Sequence, residues 1–176
     1  MNKYSFGNLE PIVGDEVLLA KGAIVIGDCR LGDNVNIWFN CVLRGDVNSI
    51  TIGDNTNIQD LSMLHVTEVN NLEIGKNVSV GHSVVLHGCS IGEGSLIGMG
   101  AKVLDGASIG KNSIVAAGSV VPPNKVYPDG SYIIGNPAKV KRALNEDEIS
   151  KYSNHYKSYL SYAKKFLDNN HVREID

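Results

Sequence analysis

The chain has 176 residues, which is enough for one well-buried domain and short for two. Its formal net charge is −3 and its pI is near 5.9, so it lacks the basic balance of nucleic-acid-binding proteins. No stretch is long and apolar enough for a signal peptide or a membrane span. Three cysteines without close pairing favour a reducing compartment. We therefore expect a cytoplasmic protein that binds neither nucleic acid nor membrane.

The sequence carries an internal repeat with a period of six residues. A compact side chain usually stands two positions before each repeated aliphatic residue, and glycine often follows it. This alternation suits a tight triangular coil, in which parallel strands of successive coils stack about 4.8 Å apart. The pattern predicts an all-β solenoid. The repeated aliphatic residues are Leu19, Val25, Leu31, Ile37 and Leu43, then Ile52, Ile58 and Leu64, then Ile74, Val80 and Leu86, and finally Ile91, Ile97, Val103, Ile109, Val115 and Val121.

All three cysteines fall on the compact inward position of the repeat. They are Cys29, Cys41 and Cys89. A buried cysteine behaves as a small hydrophobic residue. We therefore expect packing groups here rather than metal ligands or catalytic nucleophiles.

The repeat ends at Gly135-Asn136-Pro137, and a helical pattern follows it. Asn145 is predicted to be the N-cap, with Glu148 three residues later completing a capping box. An amphipathic helix is then expected to lie against the solenoid or a neighbouring subunit. Its apolar stripe consists of Ile149, Tyr152, Tyr156, Tyr159, Leu160, Ala163, Phe166 and Leu167.

The repeat and the helix divide the chain into two parts. Residues 1–140 are assigned to the β-helix domain with its N-terminal lead-in. Residues 141–176 are assigned to the C-terminal helix. We expect the chain to fray after Asn170.

The repeat also predicts where the histidines lie. With three hexads per coil, the third-hexad leucines of three successive coils share one face. Each is followed by a polar residue, and these residues are Arg44, His65 and His87. They should stack in one column, and two imidazoles on adjacent rungs can both reach one metal ion at 2.0–2.1 Å.

His82 falls elsewhere on the coil. It stands two residues after Val80, in the middle hexad, and Asp60 has the same register one coil earlier. It should therefore project from another corner, where a second copy of the chain can bring it to the His65–His87 column. A three-fold ring repeats this contact with closure. We predict metal sites that share ligands across the interfaces of a trimer.

Several segments around these histidines form a specific combination. They are Leu43-Arg44-Gly45-Asp46, Asn57-Ile58-Gln59-Asp60, Leu64-His65, Val80-Gly81-His82, Leu86-His87-Gly88-Cys89 and Ile97-Gly98-Met99-Gly100-Ala101. In these segments the chain resembles the γ-class carbonic anhydrases and their close bacterial relatives, from about Gly14 to Lys139. The resemblance implies a left-handed parallel β-helix and a homotrimer. It also implies a site for zinc or, in some members, iron or cobalt, with His65 and His87 from one subunit and His82 from the next.

The resemblance further implies roles for five other residues. Arg44 and Asp60 would form an inter-subunit ion pair with Asp46 nearby, and Gln59 would hydrogen-bond the metal-bound hydroxide. Tyr156 of the C-terminal helix would approach the site. The implied reaction is the reversible hydration of carbon dioxide to bicarbonate, since a metal held by three neutral imidazoles lowers the pKa of its water to near 7.

Two positions depart from the family pattern. Val47 stands where the well-studied archaeal pattern has an acidic proton shuttle, immediately after Asp46. The loop after the first histidine is short, and Glu68 is its sole carboxylate. Slow proton removal is therefore expected to limit turnover even where the metal site is intact.

Two other interpretations stay open. Many acyltransferases share the hexapeptide repeat, use acyl-coenzyme A and a single catalytic histidine, and need no metal. Some relatives are linked to acyl-thioester metabolism. The other interpretation is a non-catalytic metal-binding trimer. The presence of Val47 in place of an acidic proton shuttle is consistent with it.

Overall fold

A computed structural model describes residues 2–168, 171 and 172. The chain forms a left-handed parallel β-helix of about 7 turns followed by a C-terminal helical region, which confirms the predicted fold class. Corner residues repeatedly adopt positive φ, for example Asn55 at 60° and Gly94 at 69°. Asparagine and glycine tolerate this backbone conformation better than other residues, so their spacing in the sequence sets the corners of the coil.

Most strands are short, as expected for hexapeptide coils. Two strands are longer, because each of them continues around a corner of the coil. They are β1 (Lys3–Tyr4), β2 (Ile12–Val13), β3 (Leu18–Leu19), β4 (Ile24–Leu31), β5 (Asn36–Ile37), β6 (Val42–Ile52), β7 (Asn57–Ile58), β8 (Met63–His65), β9 (Leu72–Ile74), β10 (Ser79–Val80), β11 (Val85–His87), β12 (Ser90–Ile91), β13 (Leu96–Ile97), β14 (Lys102–Val103), β15 (Ser108–Ile109), β16 (Ile114–Val115), β17 (Val120–Val121), β18 (Val126–Tyr127), β19 (Ser131–Gly135) and β20 (Ala138–Ala143). The helices are α1 (Glu146–Ser153) and α2 (Tyr156–Leu167).

The strands stack into three faces. One face runs β3-β5-β7-β10-β13-β16-β19, and β20 closes it as an antiparallel strand. Strand β6 joins the other two faces, because residues 42–44 pair with β8 while residues 50–52 pair with β9. The stack brings Leu43, Leu64 and Leu86 into register, as the repeat predicts.

The inward side chains form one continuous apolar column. Ile37, Leu64 and Ile97 are completely buried, and each such side chain contributes about 1.5–3 kcal/mol through removal from water. The three cysteines are buried in the same column with free thiols, which confirms their predicted burial. Burial raises the pKa of the Cys29 and Cys41 thiols to about 11.

The predicted capping box begins the helical region. The backbone N–H of Glu148 donates to Oδ1 of Asn145 at 2.8 Å, and the backbone N–H of Asn145 donates to Oε2 of Glu148 at 3.0 Å. Helix α2 packs its apolar stripe on β3, β5 and β7. The rings of Tyr159 and Phe166 lie 5.6 and 5.0 Å from Trp38, measured between centroids.

The C-terminal helix is divided into two segments. Asn154 caps the end of α1, and its side-chain amide donates to the backbone oxygen of Ser150 at 2.7 Å. Such side-chain bonds to the backbone compete with continued helix. Position 140, where the sequence suggested a boundary, lies within β20.

Of the positions after Asn170, where fraying is expected, residues 171 and 172 are described and lie outside the helices, and 173–176 lie outside the described ranges. Within the described chain, no helix combines the length and apolar character needed to cross a membrane.

Candidate metal centre

Two histidines face each other on adjacent coils. His65 ends β8 and His87 ends β11, and the strands pair in register at these residues. Nδ1 of His65 lies 2.9 Å from Nε2 of His87, and the ring centroids are 4.9 Å apart. Arg44 lies on β6, one coil earlier, and pairs in register with His65. The predicted stacking of Arg44, His65 and His87 is therefore confirmed.

The outer nitrogen of each ring lies against a carboxylate. Oδ1 of Asp46 is 3.1 Å from Nε2 of His65, and Oδ1 of Asp105 pairs with Nδ1 of His87. A carboxylate keeps the proton of a neutral imidazole on the nitrogen that faces it. The two inner nitrogens face each other, so both are placed to act as ligands of one metal ion.

This pair fits a divalent metal ion in donor type and in spacing. Tetrahedral coordination at 2.0–2.1 Å places two ligating nitrogens roughly 3.3 Å apart, close to the spacing of the inner nitrogens of His65 and His87. The side chains of His65 and His87 are 14% and 27% exposed, so one side of the pair stays open to further ligands. The two imidazoles would supply half of the tetrahedral shell of such an ion.

His82 lies at a different corner of the coil, as its register predicts. Asp60 occupies the same position one coil earlier, and its Oδ2 is 2.8 Å from Nδ1 of His82. This contact directs Nε2 of His82 away from the carboxylate, on a side chain that is 40% exposed. Across the described residues of a single chain, no group of three or more His, Cys, Asp or Glu side chains is arranged to hold a metal ion.

Arg44 pairs with Asp46 within the chain, and Asp46 also contacts His65. Burial raises the pKa of Asp46, but hydrogen bonds from Arg44 and His65 outweigh this effect and bring the pKa below its usual value. Asp60, which the resemblance pairs with Arg44 across a subunit boundary, is engaged by His82 in one chain.

Gln59 is buried at one end of a chain of polar side chains. Its Nε2 donates to Oδ1 of Asn57 at 3.1 Å, and Nδ2 of Asn57 donates to Oγ of Ser79 at 2.9 Å. The same hydroxyl lies 3.2 Å from Nδ1 of His155, at the start of α2. Since Nε2 of Gln59 is anchored in this way, its Oε1 is turned away from Asn57 and is the side chain's acceptor atom.

Gln59 also borders a cavity of about 430 Å³ between the first face of the solenoid and α1. The floor is apolar and includes Leu96 and Ile114. An ion pair between Arg142 and Glu148 lies on its lining. Gln59 therefore borders an apolar chamber and directly precedes Asp60, which lies at the corner with His82.

A second cavity, of about 330 Å³, lies at that corner. It is lined by Asp60 and His82 and by two tyrosines of α2, Tyr159 and Tyr162. Burial raises the pKa of Tyr159, and the nearby carboxylate of Asp60 adds to the effect. Tyr156, the tyrosine implied by the resemblance, begins α2 and is absent from the described linings of both cavities.

The two positions that depart from the family pattern lie close together. Val47 is 49% exposed on β6, directly after Asp46. The side-chain amide of Asn48 donates to the backbone oxygens of Thr67 and Glu68 at 3.1 and 3.4 Å. The loop that carries Glu68 is therefore fastened to the strand that carries Asp46.

Asp105 is a residue of the candidate site that sequence reasoning missed. Leu86 pairs with Val103, so the position in register with His87 is Leu104, and Asp105 is the first residue beyond it. No motif marks this carboxylate. Extending the repeat one coil past His87 places Asp105 in the adjoining turn but does not give the direction of its side chain.

Comparison with known proteins places these features in a family. The model "Bacterial transferase hexapeptide (six repeats)" matches residues 10–45 and 88–123. The chain is 44% identical over 160 residues to gamma carbonic anhydrase 2, mitochondrial, of Arabidopsis thaliana, a match that covers 88% of the chain and 58% of that longer protein. It is 47% identical over 138 residues to a probable carbonic anhydrase of Methanocaldococcus jannaschii, a match that covers 78% and 87% of the two chains.

A solved structure agrees over nearly the whole chain. A hexapeptide transferase family protein from Anaplasma phagocytophilum superposes with a TM-score of 0.88 and 35% identity, covering 94% of this chain and 98% of that one. From the repeat, the register of its histidines and these identities, the chain belongs to the γ-class carbonic anhydrase-like family of hexapeptide-repeat proteins.

Proposed function

We propose that the chain is a carbonic anhydrase-like lyase that catalyses the reversible hydration of carbon dioxide to bicarbonate. The observation that carries this proposal is the pair formed by His65 and His87, whose ring nitrogens converge at 2.9 Å. A carboxylate stands behind each ring. The relatives named as carbonic anhydrases support the same reaction.

In the proposed homotrimer, His65 and His87 of one subunit and His82 of the partner subunit would hold zinc, and iron or cobalt suits the same donors. The half-exposed side chain of His82, whose Nδ1 is held by Asp60, and the partial exposure of the His65–His87 pair support this arrangement. When bound, the metal supplies a Lewis acid that makes water nucleophilic near neutral pH.

The chain's own residues then orient the reactants. Gln59 accepts a hydrogen bond from the attacking water through Oε1, because its Nε2 is committed to Asn57. Asp46 and Asp60 hold the outer nitrogens of His65 and His82. Arg44 pairs with Asp60 across the proposed interface, in addition to its contact with Asp46 in its own chain.

A tyrosine of α2 completes the proposed site. Tyr159 and Tyr162 are the candidates we favour, because they line the same cavity as His82. Tyr156 is retained from the family resemblance alone.

Metal analysis and a carbon dioxide hydration assay on anaerobically purified protein test this proposal. We expect one metal ion per subunit and measurable hydration. His87→Ala should abolish both, whereas His171→Ala, which removes an exposed histidine paired with Asp168, should change neither. A fully metallated protein without hydration or isotope exchange between carbon dioxide and water would reject the enzyme.

A second candidate is acyl transfer from acyl-coenzyme A. The transferase name of the matching repeat model and the carboxylate–imidazole pair of Asp60 and His82 favour it, since such a pair suits a general base. Coenzyme A-dependent transfer by metal-free protein would support this reading, and a required metal would oppose it. Metal binding without either activity would instead indicate a non-catalytic trimer.

A further inference from the structure

Each of the three histidines of the candidate site is held by its own carboxylate. His65 contacts Asp46 and His82 contacts Asp60, at 3.1 and 2.8 Å. The third carboxylate, Asp105, engages Nδ1 of His87 and leaves Nε2 facing His65. The histidine of the polar chain differs, since His155 lies against the hydroxyl of Ser79.

We propose that Asp105 is a positioning residue of the metal centre, which keeps His87 in the tautomer and orientation that present Nε2 to the metal. This inference rests on the part of the proposed function that concerns metal binding. It does not depend on the proposed reaction. A ligating imidazole needs its proton on the opposite nitrogen, and a carboxylate at that nitrogen both fixes the proton there and increases the basicity of the ligating atom.

The fold brings Asp105 to His87 through a corner. The backbone N–H of Gly106 donates to the oxygen of Gly88 at 2.7 Å, so the turn after β14 stacks directly on the turn after β11. Gly88 has φ of 51°, and a Cβ there would lie 3.1 Å from Oδ1 of Asp105 and 2.9 Å from Cβ of Asn70. A glycine at 88 therefore accommodates the left-handed corner and also leaves the path of the carboxylate clear.

Asp105 is also dispensable for the core. Its side chain is 41% exposed and it is not part of the buried apolar column. Its substitution should leave the β-helix folded, which allows a role at the metal to be separated from a role in the fold.

The test compares Asp105→Ala and Asp105→Asn with wild type and with Glu73→Gln, a control that removes an exposed carboxylate bonded to Asn71 on the neighbouring face. Zinc affinity is measured by competition with a chelator, and the visible spectrum is recorded with cobalt. We expect Asp105→Ala to weaken zinc binding about 10- to 100-fold. Asp105→Asn keeps a hydrogen-bond acceptor without the charge. Its zinc affinity should fall less than that of Asp105→Ala, and its cobalt absorption bands should differ from those of wild type. Glu73→Gln should match wild type.

A readout on metal-free protein makes the test independent of affinity. ¹⁵N spectra of labelled histidine should show the proton of His87 on Nδ1 in wild type and its redistribution toward Nε2 in Asp105→Ala. Circular dichroism and sedimentation should show unchanged fold and assembly.

The outcomes distinguish the two proposals. Folded Asp105 variants with wild-type zinc affinity, cobalt spectrum and tautomer would overturn the role of Asp105 alone. If zinc affinity, cobalt spectrum and tautomer all change in the Asp105 variants while the wild-type protein does not hydrate carbon dioxide, the positioning role of Asp105 would be supported and the proposed reaction rejected. A wild-type protein that binds neither zinc nor cobalt would overturn both.

Discussion

Nδ1 of His65 lies 2.9 Å from Nε2 of His87, on a coil directly adjacent to it. The contact follows from the backbone register, because the preceding residues Leu64 and Leu86 are both fully buried and pair across the same two strands. Half of the candidate metal shell is therefore already formed within one chain. The third candidate ligand, His82, projects from another corner and would depend on the proposed trimer to reach this pair.

Subunit mixing tests that dependence. Neither His65→Ala nor His82→Ala alone should bind metal with three imidazoles. After the two variants are mixed and allowed to exchange subunits, some interfaces should combine an intact His65–His87 pair with an intact His82. Metal content and hydration should then recover in part, as measured by metal analysis after gel filtration.

Mixing either variant with itself is the control and should recover nothing. Exchange must be shown separately, for example with differently tagged subunits. Mixed trimers that form without any gain of bound metal would contradict the shared site.

Arg44 supplies the second prediction. We expect Arg44→Ala to remove the proposed cationic partner of Asp60 across the interface, although Asp60 keeps its contact with His82. The trimer should weaken roughly tenfold, since the loss of a cationic partner from a partly buried carboxylate is costly. Sedimentation over a concentration series measures this effect. Arg30→Ala is a matched control, because Arg30 pairs with Asp28 on the surface at 3.1 Å. Equal trimer stability in both variants, with normal metal content, would remove this role from Arg44.

Glu148 supplies a prediction about pH. Both of its oxygens accept hydrogen bonds from Arg142 at 2.7 Å, which lowers the pKa of Glu148 to about 2. The unperturbed value is 4.5. A carboxyl with a lowered folded-state pKa stabilises the fold above the unfolded-state pKa, and this contribution disappears as pH falls through the folded-state value.

Glu148→Gln isolates the charge, because glutamine can still complete the capping box. The variant should have a slightly lower Tm than wild type at pH 7, and the difference should shrink between about pH 4.5 and pH 2. Glu146→Gln, in the same first turn of α1, controls for the helix dipole. A Tm difference that stays constant through this pH range would show that the ion pair contributes nothing to stability.

The solenoid and the His65–His87 half of the candidate metal site follow from the sequence for a physical reason. Inward positions of a stacked coil must be filled by side chains of repeating size, so the period of six appears directly in the residues. Once Leu64 and Leu86 are placed inward, the residues that follow them must stack on the outside. The register of His65 and His87 was therefore predictable without any knowledge of side-chain contacts.

Contacts made at corners and by the helices were not predictable in the same way. Asp105 reaches His87 because one turn lies on another, and the repeat does not encode the direction of a side chain in a turn. The break between α1 and α2 at Asn154 depends on a local hydrogen bond to Ser150. Tyr159 and Tyr162, which follow this break on α2, line the cavity beside His82.

The last prediction concerns the route of the proton. The exposed apolar side chain of Val47 stands beside Asp46, where the family pattern has an acid. Glu68 lies in the adjoining loop, whose backbone is held by Asn48. Removal of the proton released by hydration must then use external buffer, Glu68 or a tyrosine of α2. Net hydration should be slow at low buffer concentration and should rise with added imidazole.

Carbon dioxide–bicarbonate exchange at equilibrium needs no net proton release, so it should depend less on buffer. Val47→Glu should raise the hydration rate at low buffer and leave the exchange rate nearly unchanged, because it adds a proton acceptor without altering the metal ligands. Val47→Gln has nearly the same size without the charge and should give no gain. Glu68→Gln should slow low-buffer hydration further if the loop carboxylate takes part. If fully metallated protein shows neither exchange nor hydration at any buffer concentration, the missing acid is not the cause of the inactivity. Acyl transfer, or metal binding without catalysis, would then explain the site better.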